Sequence, residues 1–137
     1  MIFTLISFLG LTLYSPEAVV QNRDFLVDQL RNSSSDLRVN ALQKLAELKY
    51  PETIPNIAAL SRDPSADVRF AAIQALAKIS TQAALDALNS SFSNETDSYL
   101  KSEIRRSKKG IEDLLKAETE RAEKEAAKPA KSPSKKK

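Results

Sequence analysis

Two pairs of charged residues with identical spacing are the part of this sequence best suited to chemistry. Asp36 and Arg38 are separated by one residue, and Asp67 and Arg69 repeat the arrangement 31 positions later. A carboxylate can stabilise the start of a helix, and a guanidinium can bind a carboxylate or an anionic ligand. We expect a structural role for both pairs, because a residue that recurs at each period is positioned by the packing of the repeats. A ligand-facing row of arginines is the alternative.

The composition removes the commonest catalytic and metal-binding side chains. The 137 residues include no cysteine and no histidine. Thiolate nucleophiles, disulfides, histidine bases and metal sites built on these ligands are therefore excluded. We predict that the chain is not an enzyme and that it has no catalytic residue, cofactor, bound metal or small-molecule substrate.

Apolar residues at helical spacing accompany each Asp and Arg pair and must position it. A period of 31 residues is typical of stacked helical hairpins, in which each unit buries its apolar face only against its neighbours. The sequence therefore predicts an all-α fold, a short α-solenoid of antiparallel helix pairs. The predicted core positions in the two copies are Leu37, Ala41, Leu42, Leu45 and Leu48, then Val68, Ala72, Ile73, Leu76 and Ile79.

Capping residues and prolines divide the chain into predicted helices at about 16–31, 35–49, 51–62, 64–79 and 81–91. They pair as hairpins 35–62 and 64–91. A degenerate terminal helix follows, which Gly110 could interrupt. The predicted repeat domain is 16–115, followed by a charged helical extension at 116–128 and a disordered, lysine-rich tail at 129–137.

Residues 2–14 form an apolar run without a charged side chain. Its length suits the core of a signal peptide and is shorter than the roughly 20 residues that span a bilayer. No Lys or Arg precedes it, so an uncleaved anchor and a segment belonging to the fold remain alternatives. We predict a signal peptide or anchor at 1–15, with export to the cell envelope or beyond, or membrane attachment. A cytoplasmic location follows if the run is not a signal.

Positive charge is concentrated at the C-terminal end of the chain. The net charge is +3, yet residues 1–100 carry 8 basic and 11 acidic side chains, whereas residues 101–137 carry 13 and 7. Lysine-rich segments bind nucleic acid and anionic surfaces through counterion release. The candidate polyanion-binding residues are Arg105, Arg106, Lys108, Lys109, Lys135, Lys136 and Lys137.

The duplicated block resembles the short HEAT-like repeats of the phycobilisome-lyase type. The matching residues are Asp67-Val68-Arg69, Ala71-Ala72 and Ala75-Leu76, with a looser copy that begins at Asp36. The resemblance implies a non-catalytic scaffold that binds another protein, or an accessory role in a lyase-type complex. It also implies that the second helix of each hairpin faces the concave side, where the partner-binding residues would be Asn56, Ser61, Gln82, Asp86 and Asn89.

Overall fold

The computed structural model describes residues 16–128, and this part of the chain is helical without a β-strand. The all-α prediction is therefore confirmed. The predicted signal or anchor at 1–15 and the predicted tail at 129–137 lie outside the described residues. No described helix combines the length and the apolar character needed to cross a membrane. The helices are α1 (Pro16–Gln29), α2 (Ser35–Leu48), α3 (Ile54–Ala59), α4 (Ala66–Ile79), α5 (Gln82–Asn94) and α6 (Ser98–Ala126).

The starts of α2 and α4 share one capping arrangement. The residues that precede these helices, Ser34 and Ser65, have extended backbones and make no side-chain cap. Instead, the side chain two positions earlier accepts their backbone N–H: Asn32 Oδ1 at 3.0 Å from Ser34 N, and Asp63 Oδ1 at 2.9 Å from Ser65 N. Because Asp63 caps the loop in this way, α4 begins at Ala66, two residues later than predicted.

The ends of α2 and α4 are also equivalent. Each helix is followed by a residue in the left-handed region, Lys49 with φ 50° and Ser80 with φ 55°. The backbone N–H of each bonds to the carbonyl of the leucine four residues earlier, Leu45 or Leu76. Such left-handed residues satisfy free carbonyls at helix ends. The 31-residue period is thus present in the backbone as well as in the side chains.

The predicted helix at 51–62 is divided into three short pieces. A 3₁₀ turn at Pro51–Thr53 precedes α3, and a second at Leu60–Arg62 follows it. Pro51 and Pro55 have no backbone N–H to donate, so each lies in the first turn of its own piece. By contrast, α6 continues through Gly110 without a break, so the expected interruption there is wrong.

The helices form two layers of a short solenoid. The layer of α2, α4 and α6 is continuous, since α4 packs against both α2 and α6. The second layer contains α3 and α5, which contact each other and α4, while α1 packs against α2. The main contacts of α3 therefore lie with α4 and α5, whereas the predicted repeat at 35–62 groups it with α2.

Apolar side chains between the layers form one core, which includes Leu42, Leu45, Ile73 and Leu76 at no more than 1% exposure. One predicted core residue is misplaced, because Leu37 is 44% exposed whereas its counterpart Val68 is fully buried. Val68 is covered because α2 precedes α4 in its layer. On its other side α2 packs against α1, but the two helices leave an open groove lined by Phe25 and Leu37, so Leu37 stays exposed at this open end of the stack.

Candidate functional site

The arginine of the first repeat connects two loops. Arg38 Nη2 donates to Asp63 Oδ1 at 3.0 Å, and its Nη1 donates to the carbonyls of Asn32 at 2.8 Å and Ser33 at 3.1 Å. Its Nε lies 2.9 Å from Asp63 Oδ2 but is not aligned for a hydrogen bond. The two side chains are 13% and 6% exposed. Arg38 therefore ties the loop before α2 to the loop before α4.

The arginine of the second repeat makes equivalent contacts one unit further on. Arg69 Nε donates to Glu95 Oε2 at 2.9 Å, and its Nη1 donates to the carbonyls of Asp63 at 3.0 Å and Pro64 at 3.3 Å. The two arginines thus donate to loop carbonyls and carboxylates within the stack. Asp36 and Asp67 lie in the first turns of α2 and α4 and are exposed.

Glu95 is held as a buried carboxylate by three hydrogen bonds. Burial alone would raise the pKa of its carboxyl, but the backbone amides of Asp97 and Thr96 and the guanidinium of Arg69 outweigh burial and lower the pKa below its ordinary value. Hydrogen bonds and positive charge favour the ionised form. The loop between α5 and α6 is thus ordered around an ionised Glu95.

We expect this carboxylate to make the fold acid-sensitive. Because the pKa of Glu95 is lower in the folded chain than in the unfolded chain, its contribution to stability is present above the unfolded value and is lost as pH falls through the folded value. Urea unfolding at a series of pH values from neutral to about pH 3 should show stability falling below about pH 4.5. The Glu95→Gln variant should fall less steeply; equal slopes for the two proteins would contradict this role.

A groove with an apolar floor runs between α2 and α4. It has a volume of about 210 Å³, and its walls carry Gln43 and Gln74, which are both exposed. Phe70 lines the groove and stacks on Tyr99 of α6 at 6.0 Å between ring centroids, and Tyr99 is 60% exposed. The other lining residues are Val39, Ala46, Asp67, Ala71, Ala75 and Lys78.

The sequence did not lead us to predict this groove, although the repeat spacing contains a signal for it. Gln43 and Gln74 are 31 residues apart, as are Val39 and Phe70, so each pair occupies one position of the repeat. Two amides, one aliphatic and one aromatic side chain give no reason by their types alone to be placed on a shared surface. Only the packing of α2 against α4 brings the two rows together.

The predicted partner-binding residues lie on the other layer of helices. Ser61 lines a groove of about 390 Å³ between α5 and the turn after α3. Its hydroxyl donates to the carbonyl of Ala58 at 2.7 Å, and Gln82 Nε2 donates to Asp86 Oδ1 at 3.0 Å. Asn89 is exposed and Asn56 is half-buried. Ser61 therefore lies in a groove, and Gln82 and Asp86 are already bonded to each other.

The predicted basic cluster separates into two faces of α6. Arg106 pairs with Glu103 at 2.7 Å and Lys109 pairs with Asp113 at 3.2 Å. Arg105 and Lys108 instead lie beside the ring of Phe92, together with Lys101, which is not among the predicted residues. The remaining candidates, Lys135, Lys136 and Lys137, lie outside the described residues. Within residues 16–128 no group of three acidic side chains could hold a metal ion.

The comparison with known families agrees with this architecture. The profile of HEAT repeats matches residues 23–109, which is more than half of the chain. A search of curated proteins returned no similar sequence. The match does not separate the phycobilisome-lyase type from other HEAT repeats, so that subtype stays a prediction. The layered helical hairpins and the profile match together show that this chain belongs to the HEAT-repeat proteins.

Proposed function

We propose that this protein is a non-catalytic scaffold that binds another protein along the exposed face of α2 and α4. The observation that carries the proposal is the groove between these helices, whose floor is apolar and whose walls carry Gln43 and Gln74. HEAT repeats are consistent with protein partners in general. Aromatic residues such as Phe70 and Tyr99 are enriched at protein interfaces.

The spacing of the two glutamines suits an extended segment of a partner. Neighbouring packed helices lie about 8 to 10 Å apart, and an extended chain covers about that distance in three residues. Each amide side chain offers both donors and an acceptor. Gln43 and Gln74 can therefore bond to the backbone of a bound strand, while Phe70 and Val39 contact its side chains.

The charge of the groove also favours a protein over a nucleic acid. Asp67 and Lys78 are the two charged residues that line it, and their charges are opposite. A nucleic-acid site needs several unpaired cations along the path of the phosphates. A groove with an apolar floor and only two charged lining residues is instead typical of a protein interface, whose core is depleted of charged residues.

We expect photo-crosslinking to identify the binding face. A photoreactive phenylalanine derivative is introduced at position 74 of the full chain, in the cells that produce the protein. A matched variant carries the same derivative at position 82, on α5. Because both glutamines are exposed, neither change should affect folding. Position 74 should crosslink to a partner, and adding Gln43→Lys should lower that yield about tenfold through lost affinity.

The control separates the groove from the surface predicted by resemblance. Crosslinking from position 82 but not from position 74 would reject the groove between α2 and α4. It would favour the surface formed by Asn56, Ser61, Gln82, Asp86 and Asn89. Crosslinking from neither position, with the folded protein confirmed by circular dichroism, would oppose both surfaces.

A further inference from the structure

Three cations surround a single aromatic ring at the end of the described stack. Lys101 Nζ, Arg105 Cζ and Lys108 Nζ of α6 lie 5.7, 5.3 and 5.5 Å from the ring centroid of Phe92 on α5. Their sequence spacing of four and three residues puts them on one face of the helix. Phe92 is half-buried, so the ring keeps the three charges close together.

These three cations differ from the neighbouring ones in having no carboxylate partner. Arg106 and Lys109 each form an ion pair. Among the described residues, no carboxylate lies within ion-pair distance of Lys101, Arg105 or Lys108. The ring attracts cations but only partly offsets the repulsion between three like charges. An anion bound among them would remove that repulsion.

The repeat explains why the positions carry unpaired charge. Lys101 lies four residues after the capping residue of its helix, which is the position of Arg38 in α2 and of Arg69 in α4. Both arginines bind a carboxylate from the loop of the following unit, Asp63 or Glu95. Within residues 16–128 no unit follows α6, and the equivalent carboxylate is missing.

The other two cations, Arg105 and Lys108, can be placed in the repeat in the same way. By the same alignment, Arg105 and Lys108 stand at the positions of Ile73 and Leu76 of α4. In α4 these positions are buried in the core. In α6 their replacement by cations produces a charged terminal face, which apolar packing of a further hairpin would not suit.

A second copy of this chain does not supply the missing charge. At the open end of the stack, Asn32 occupies the loop position of Asp63 and Glu95, since its side chain accepts the equivalent backbone N–H. Asn32 is neutral. The same end also exposes Phe25 and Leu37, which do not complement Arg105 and Lys108. Head-to-tail stacking in the register of the repeat would therefore leave Lys101 without the carboxylate that Arg38 and Arg69 have.

We infer that Lys101, Arg105 and Lys108, gathered around Phe92, form a binding site for a compact dianion, of which a phosphomonoester is the biological form. Three cations converging on one ring match a small group with two negative charges. A long polyanion is less suitable, because Glu103 and Asp113 neutralise the cations on the neighbouring face. The site is separate from the groove between α2 and α4.

Titration of the full chain with inorganic phosphate tests the site. At constant ionic strength, the backbone amide NMR signals of residues 101–108 should shift and saturate. The Arg105→Gln/Lys108→Gln variant should bind phosphate at least about tenfold more weakly. The matched control is Arg106→Gln/Lys109→Gln, which removes the same charge from the paired face and should change affinity less than about twofold.

Three results would overturn the inference. The first is the absence of saturation up to about 50 mM phosphate, which is far above the millimolar range expected of a weak site. The second is an equal loss of affinity in the two double variants, which would indicate diffuse electrostatic attraction. The third is tight binding of a single-stranded oligonucleotide that both double variants weaken, which would indicate a polyanion surface. Lys101→Gln provides an independent variant, and thermal unfolding confirms that each protein is folded.

Discussion

The Leu76→Ala variant is expected to lose about 2 to 5 kcal/mol of unfolding free energy. Leu76 is fully buried in α4, the helix that contacts both its neighbours in one layer and both helices of the other. Truncation removes apolar contacts and leaves a cavity that the packed helices cannot fill completely. Since small domains are stable by only about 5 to 15 kcal/mol, the variant should be close to unfolding at moderate temperature.

Urea unfolding followed by circular dichroism measures this loss, with Leu37→Ala as the matched control. The same substitution at Leu37 should cost less than about 0.5 kcal/mol, because this leucine is 44% exposed at the open end of the stack. Leu45→Ala, in the first copy of the repeat, should behave like Leu76→Ala. A Leu76→Ala protein with an unchanged urea midpoint would contradict the assigned core.

The Arg69→Met variant is expected to lose about 3 kcal/mol, because removing one partner of a buried ion pair leaves an uncompensated charge. The Glu95 side chain is only 4% exposed. Without the guanidinium, its carboxylate retains the amides of Thr96 and Asp97, but the carbonyls of Asp63 and Pro64 lose a donor. The apolar stem of methionine preserves much of the packing, so the loss reports mainly on the polar contacts.

Two further variants separate the buried pair from a general charge effect. Arg31→Met removes an arginine whose partner Asp28 lies 3.9 Å away with both side chains more than 70% exposed, and it should cost less than about 0.5 kcal/mol. The Arg69→Met/Glu95→Gln double variant should be more stable than the sum of the single losses predicts. Equal costs for Arg69→Met and Arg31→Met in urea unfolding would show that the Glu95 pair is not structural.

The proposed binding sites differ in how far the sequence could predict them. The basic residues of α6 were selected from charge alone, but their division into paired and unpaired faces depends on Glu103, Asp113 and Phe92. Phe92 belongs to a different helix, so no periodicity within α6 points to it. The groove could be predicted only in part. The 31-residue period relates the residues that line it, but the packing of α4 against α2 was needed to choose this layer of helices as the binding face.

The sequence alone is sufficient to predict the helical class, the 31-residue period and the burial of most repeated apolar positions. These properties depend on local spacing, capping and the need of each hairpin to bury one face. It also indicated that Arg38 and Arg69 would reach toward the neighbouring unit, because both recur with the helices that carry them.

The packing of the helices, by contrast, fixes which of them share a layer and which repeated residues remain exposed. Leu37 and Val68 occupy the same repeat position, yet one is exposed and the other is buried. Likewise, Lys101 occupies the position of Arg69 but lacks its carboxylate among the described residues. Burial and ion pairing in a solenoid depend on the adjacent unit. Beside α2, the helix α1 leaves Leu37 in an open groove, and within residues 16–128 no unit follows α6 to supply a carboxylate to Lys101.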